Sequence, residues 1–235
     1  MTALPTVSIV IPVHNEEAIL HAAVVDLRER LEDASYAWEL ILSENGSSDQ
    51  TVAVATALAS KYPNIIVLHT PEPNYGRALR VGIEHARGEI VICDEIDLCD
   101  TEFHQRAIQL LESSPVDLVI GSKLLSGASD ERPFLRHAAS HLYSKLLRWT
   151  LGFQGTDTHG LKAMRRLSVL PVLATCVVDR DVFSSELVIR SERARLRVLE
   201  IPIRVMEKRP PTINLIRRVP HVIKSVARLA WALRQ

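Results

Sequence analysis

The chain has 235 residues, 47% of them hydrophobic and 24% charged, with a formal net charge of zero. This is ordinary globular composition, with enough chain for one large domain or two small ones. No run approaches the roughly 18 apolar residues of a membrane span. Zero net charge, with no aromatics interleaved among the basic residues, argues against a nucleic-acid binder. Met1 to Pro5 carries no basic residue, and Val7 to Val13 is short and interrupted by Pro12, so no secretion signal is read. Cys93, Cys99 and Cys176 lack metal-type spacing, which fits a reducing compartment and makes the cytoplasm the expected location.

The first half predicts alternating strands and helices. Val7 to Val13 reads as a buried strand and Glu16 to Asp33 as an amphipathic helix through Ile19, Leu20, Val24, Leu27 and Leu31. Glu39 to Leu42 is a short strand, followed by the loop Asn45-Gly46-Ser47-Ser48-Asp49. Ser48 or Asp49 caps a helix running to Tyr62. Ile65 to His69 is a third strand, Arg77 to Ala86 a helix and Ile90 to Cys93 a fourth strand. This order predicts an α/β fold with a mostly parallel sheet and helices on both faces, whose ligands bind beyond the carboxyl ends of the strands.

The fourth strand runs into Asp94-Glu95-Ile96-Asp97, with Asp100 and Glu102 following. Clustered carboxylates at the end of a buried strand need water or a cation to compensate them. In an α/β protein this points to a divalent cation holding a phosphorylated ligand. The first strand delivers Pro12-Val13-His14-Asn15-Glu16 to the same edge, and the second delivers Ser43-Glu44-Asn45-Gly46-Ser47. Together they predict a nucleotide site.

The second half is less regular. Thr101 to Leu111 predicts a helix, and Asp117 to Ile120 a strand ending in Gly121-Ser122-Lys123. Ser126 to Pro133 is a polar loop, Leu135 to Leu151 a helix, and Gln154 to Gly160 a loop before a short helix around Leu161 to Leu167. Phe183 to Arg193 is a further helix and Arg197 to Ile203 a strand. From Arg204 onward there are eight basic residues and one acid, Glu207. After Pro220 a basic amphipathic helix ends near Trp231, and such a helix either lies on an anionic membrane or packs on the core. The expected division is a catalytic domain over 1–210 and this helix within 211–235.

Several of these segments resemble family 2 glycosyltransferases of the GT-A fold. The carriers are Val7 to Glu17 with its P-x-x-N-E element, then Glu44-Asn45-Gly46-Ser47-Ser48-Asp49-Gln50-Thr51, then Asn74-Tyr75-Gly76-Arg77-Ala78-Leu79 and the acidic strand end. Gly121-Ser122-Lys123, Thr156 to Lys162, and Glu186 with Glu200-Ile201-Pro202-Ile203 are similar to the branch that glycosylates polyprenyl phosphates. This chain has Glu44-Asn45 where the family usually has two aspartates. It has Glu95-Ile96-Asp97 where the family has Asp-x-Asp, and Lys123 where the branch often has arginine.

The resemblance implies a single-domain, inverting glycosyltransferase using a GDP- or UDP-linked sugar. Mg²⁺ or Mn²⁺ would sit on Asp97, helped by Glu95 or Asp94, and neutralise the leaving diphosphate. Pro12, Val13, Asn15, Glu16, Glu44 and Ser47 would hold base and ribose, with Arg77 and Asp94 nearby. Asp179 and Asp181 are the nearest candidates for a base. A phosphate acceptor is already an anion, so it calls for cations instead. Lys123, Arg132, Arg136, Arg204, Lys208 and Arg209 lie in the segments the resemblance places around the acceptor. This favours a polyprenyl phosphate, met at the cytoplasmic membrane face. A saccharide or soluble acceptor, or a nucleotide-sugar binder without turnover, are the rivals.

Overall fold

The computed structural model describes residues 6–130, 134–180, 182–205 and 215–233, with backbone alone at 130, 134–136 and 215–222. In chain order the elements are β1 (Val7–Val13), α1 (Leu20–Arg30), β2 (Trp38–Asn45), α2 (Thr51–Lys61), β3 (Ile65–Thr70) and α3 (Tyr75–His85). There follow β4 (Ile90–Cys93), α4 (Thr101–Ser113), β5 (Leu118–Ser122), β6 (Ser129–Asp130), α5 (Phe134–Leu151) and β7 (Lys162–Arg165). The remainder are α6 (Arg166–Thr175), α7 (Phe183–Arg193), β8 (Val198–Pro202), β9 (Arg204–Val205) and α8 (Leu215–Ala232).

Seven strands form one sheet in the order β3-β2-β1-β4-β7-β5-β8. All neighbours are parallel except β7, which runs antiparallel to both β4 and β5. Alternating residues of β1 face opposite layers, as a pleated strand requires. Val7, Ile9, Ile11 and Val13 pack with α1, α2 and α4 through Leu20, Val24, Leu58, Phe103 and Leu111. Val10 packs on the other side with α3, α5, α6, α7 and α8 through Leu79, Leu147, Val169, Phe183 and Leu229. Helices thus cover both faces, and strands buried on both sides read as continuous apolar runs. The small pair β6–β9 lies apart from this sheet.

The parallel half follows the expected order, and β4 begins and ends where the apolar run does, but β2 runs on to Asn45, α1 begins only at Leu20, and the residue before α2 is Gln50 rather than Ser48 or Asp49. The helix expected around Leu161 to Leu167 is instead strand β7 followed by α6. Leu-Lys-Ala-Met-Arg is rich in helix formers, but the gap between β4 and β5 is filled only by a strand, and tertiary pairing overrides weak propensity. Helix α8 also starts earlier than expected and runs through Pro220. Its second half packs on the core through Val226 and Leu229.

Where β7 meets β5 the backbones come very close. A Cβ on Gly160 would stand 1.7 Å from the carbonyl oxygen of Gly121. Gly160→Ala is therefore expected to destabilise the protein by about 3 kcal/mol, read as a lowered urea midpoint with unchanged slope.

Candidate active site

The strand register assembles the site. Val13 pairs with Glu44, and Val10 with Cys93, so the carboxyl ends of β1, β2 and β4 open at one edge. Strand order reverses between β1 and β4, which is where doubly wound sheets bind ligands. The loops after β1 and β2 are laced together. Asn15 adopts φ 53°, a left-handed conformation asparagine tolerates. Its backbone N–H donates to Ser47 Oγ at 3.0 Å, and its Oδ1 accepts the Ser48 N–H at 2.8 Å. The Glu16 N–H donates to Thr51 Oγ1 at 2.7 Å, the Glu17 N–H to Asp49 Oδ2 at 3.2 Å, and the Gln50 N–H to Glu17 Oε2 at 2.8 Å.

Glu44 is fully buried. It accepts the Ser47 N–H at 2.5 Å on one oxygen and contacts His69 Nδ1 with the other. Asn45 Oδ1 accepts the Asn74 N–H, and Asn74 in turn caps α3 by accepting the Arg77 N–H at 3.1 Å. The last two residues of β2 therefore set the loop that carries Ser47 and the helix start that presents the exposed Arg77. Val13 is buried and Pro12 half-buried, so both shape the floor of this edge.

The acidic segment divides by role. Asp94 is buried and turned into the protein. It accepts the N–H of Glu95 at 2.6 Å, the N–H of Asp100 at 3.0 Å, and His104 Nε2–H at 2.6 Å. His104 is wholly buried on α4, and its Nδ1 has no partner among the described residues. Asp100 caps α4 by accepting the Phe103 N–H at 2.9 Å. The half-buried side-chain carboxylates of Glu95 and Asp97 have no hydrogen-bond or ion-pair partner among the described residues. Burial, and then the charge of Asp97, push the Glu95 carboxyl up to about 7.

Two cations lie beneath. Lys162, the first residue of β7, is buried and donates its Nζ–H to Gly160 O at 2.7 Å. Lys123, just past β5, pairs with Asp157 at 2.7 Å. The charges of both lysines act on Glu95. Burial alone would raise the Asp157 carboxyl, but Lys123 and the His159 N–H outweigh it and leave it at about 2. Lys162 ends the Thr156 to Lys162 segment of the resemblance with no role expected of it, and its one signal in the sequence is a lysine flanked by Leu161, Ala163 and Met164.

On the side expected to meet the acceptor, Arg204 is exposed on β9. Arg132, Lys208 and Arg209, and the side chain of Arg136, lie outside the described residues. Asp179 is exposed and pairs with Arg80 at 3.2 Å, while Asp181 lies outside the described residues. Glu186 and Glu200 are loop anchors. Glu186 accepts the N–H groups of Val177 and Val178, and Glu200 accepts those of Thr156 and Asp157.

The donor set fits a hard divalent cation shared with a ligand. No group of three His, Cys, Asp or Glu side chains able to hold a metal occurs among the described residues. Mg²⁺ is commonly held by one or two carboxylates plus substrate phosphates. Glu95 and Asp97 match that arrangement.

Two outcomes test this electrostatic frame. His104→Ala leaves the Asp94 charge buried and short of a donor, and should cost about 3 kcal/mol in chemical denaturation. Asp157 has a depressed carboxyl pKa, so its contribution is present above the ordinary value near 4 and is lost as pH falls toward 2. Lys123→Met should flatten the stability-versus-pH curve across that window, as measured by urea titration at a series of pH values.

The model of the family described as glycosyl transferase family 2 matches residues 8–173. Glycosyltransferase AglD of Haloferax volcanii is 29% identical over 233 residues, spanning 97% of this chain and 37% of that protein. Dolichyl-phosphate beta-glucosyltransferase ALG5A of Trichomonas vaginalis is 27% identical over 83% of this chain and 64% of its own length. The chain therefore spans between about a third and two thirds of these relatives. Glucosyl-3-phosphoglycerate synthase from Mycobacterium tuberculosis, solved with Mn²⁺, UDP and phosphoglyceric acid, superposes with TM-score 0.67 at 21% identity. That match covers 96% of this chain and 78% of the synthase, and it supports the GT-A fold. Fold, switch-point edge and the family match over residues 8–173 agree: the chain belongs to glycosyltransferase family 2.

Proposed function

We propose that this glycosyltransferase moves a sugar from a UDP- or GDP-linked donor to a polyprenyl phosphate. The observation that carries the donor half is the pair Glu95 and Asp97, two carboxylates without partners among the described residues at the strand-order reversal. A divalent cation, Mg²⁺ or Mn²⁺, supplies charge neutralisation for the leaving diphosphate when bound between these side chains and the nucleotide. Solved relatives of the same fold contain Mn²⁺ or Mg²⁺ with UDP, which supports this reading. The laced loops around Asn15, Glu16, Glu44 and Ser47, with Pro12 and Val13 beneath, would hold base and ribose. Arg77, at the exposed start of α3, would meet the nucleotide. Asp94, turned inward, would act by holding the loop that carries Glu95 and Asp97.

On the acceptor side, relatives named as dolichyl-phosphate glucosyltransferases and an undecaprenyl-phosphate 4-deoxy-4-formamido-L-arabinose transferase support a lipid phosphate. A phosphate oxygen attacks the anomeric carbon without first losing a proton, so cations that orient it suffice. Arg204 and Lys123 are the described candidates, with Arg132, Arg136 and Arg209 in the neighbouring segments. Such an acceptor places the enzyme at the cytoplasmic membrane face. A phosphorylated soluble acceptor is the second reading, favoured by the fold neighbour solved with phosphoglyceric acid. In that case Asp179, beside Arg80, is the described carboxylate nearest to a base role.

Thermal unfolding against UDP- and GDP-sugars, with and without Mn²⁺, should show stabilisation by one donor class that requires the metal. Asp97→Ala should abolish that metal-dependent shift and reduce transfer by at least about 1000-fold, while leaving the ligand-free Tm unchanged. Near-normal turnover in this variant overturns the metal assignment. Transfer to polyprenyl phosphate but not to 3-phosphoglycerate separates the two acceptor readings.

A further inference from the structure

Seven large hydrophobic side chains are exposed among the described residues, and four of them sit on two helices. On α5 these are Leu142 and Trp149, 70% and 87% exposed; on α8 they are Ile223 and Trp231, 57% and 66% exposed. Their spacing is seven and eight residues, so each pair forms a ridge along one helix face. On α8 the exposed Ala227 completes the ridge between Ile223 and Trp231. The exposed cations Lys145 and Arg148 lie beside the ridge of α5, and Lys224 and Arg228 beside that of α8. Neither helix contains a single Asp or Glu.

The two ridges are tied at one end. Arg193 of α7 donates from Nη2 to Leu151 O at 3.1 Å and from Nη1 to Leu233 O at 2.7 Å. One guanidinium thus holds the C-terminal ends of α5 and α8 together. Trp149 and Trp231 each stand two residues before the carbonyl it grips. Two exposed tryptophans are therefore carried near the tied ends of two helices that bear cations and no acid, in a protein of zero net charge.

We propose that α5 and α8 form a docking surface for an anionic phospholipid bilayer, with Trp149 and Trp231 as its interfacial anchors. Tryptophan favours the headgroup boundary, where its ring is half in apolar and half in polar surroundings. Lysine and arginine beside it gain from the negative surface potential. A second copy of this chain is a poor occupant, because a two-fold interface would set the same cations against each other with no acid on either helix to offset them. The proposal deepens the membrane part of the reading above, and sugar transfer to a short, detergent-soluble acceptor tests that reading separately.

The test uses the 235-residue chain carrying Trp38→Phe, so that the two helix tryptophans alone report. The probes are vesicles of phosphatidylcholine and of phosphatidylcholine with phosphatidylglycerol. The chain should co-sediment with the anionic vesicles only, with a blue shift of tryptophan emission and quenching by brominated lipid. Trp149→Ala with Trp231→Ala should weaken binding at least tenfold. Lys145→Glu, Arg148→Glu, Lys224→Glu and Arg228→Glu together should weaken it by about 100-fold or more. All these side chains are exposed, so the Tm and the donor-induced thermal shift should not move. Equal binding to neutral vesicles, no binding to either kind, or binding without change in tryptophan emission overturns the proposal. So does a dimer in solution that the tryptophan variants dissociate.

Discussion

A carboxylate removed from water must find donors inside the protein, and Asp94 does so in a way that organises everything beyond β4. Its two oxygens take the N–H groups of Glu95 and Asp100 and the ring N–H of His104. Those bonds close the loop 95–100 on itself and pin it to α4. Glu95 and Asp97 are thereby presented at the sheet edge by a loop whose shape is set from below. Removing the pin would leave Glu95 and Asp97 themselves untouched, yet it would release the geometry of the loop that carries them.

The same device recurs across the fold. Glu39 is buried beneath the opposite edge and accepts from Ser8 Oγ, the Arg87 N–H and the Arg87 guanidinium. Glu44 holds the loop after β2, Asp157 the turn before β7, Glu186 the segment before α7, and Glu200 the start of the Thr156 loop. Each satisfies backbone N–H groups that irregular chain would otherwise bury unpaired. Against that background Glu95 and Asp97, whose carboxylates have no donor among the described residues, stand apart.

Much of this was legible in the residues. Strand β4, the alternation of β1 to α4 and the convergence of three loops follow from apolar runs and their polar ends, because parallel strands buried on both faces admit little else. The site was legible as an acidic edge, but the difference between Asp94 and Asp97 was not. Both are aspartates in one short segment, and only the distant His104 turns one inward. Strand β7 escaped for a related reason. Its composition suits a helix, and its pairing depends on β4 and β5, which lie far from it in the chain. The pairing of α5 with α8 through Arg193 is likewise a long-range fact with no local signature.

The reversed direction of β7 has a wider consequence. The chain leaves the sheet after Ser122 at the end of β5 and returns at Lys162. Because β7 is antiparallel to β5, departure and return lie side by side at the same edge as the acidic loop. Everything between them, including β6 and α5, is an excursion with adjacent anchor points. Such a segment can be lengthened, shortened or exchanged without rethreading a strand or shifting the register of β1, β2 and β4. One part of this edge can thus change in length and sequence while the register of the other stays constant.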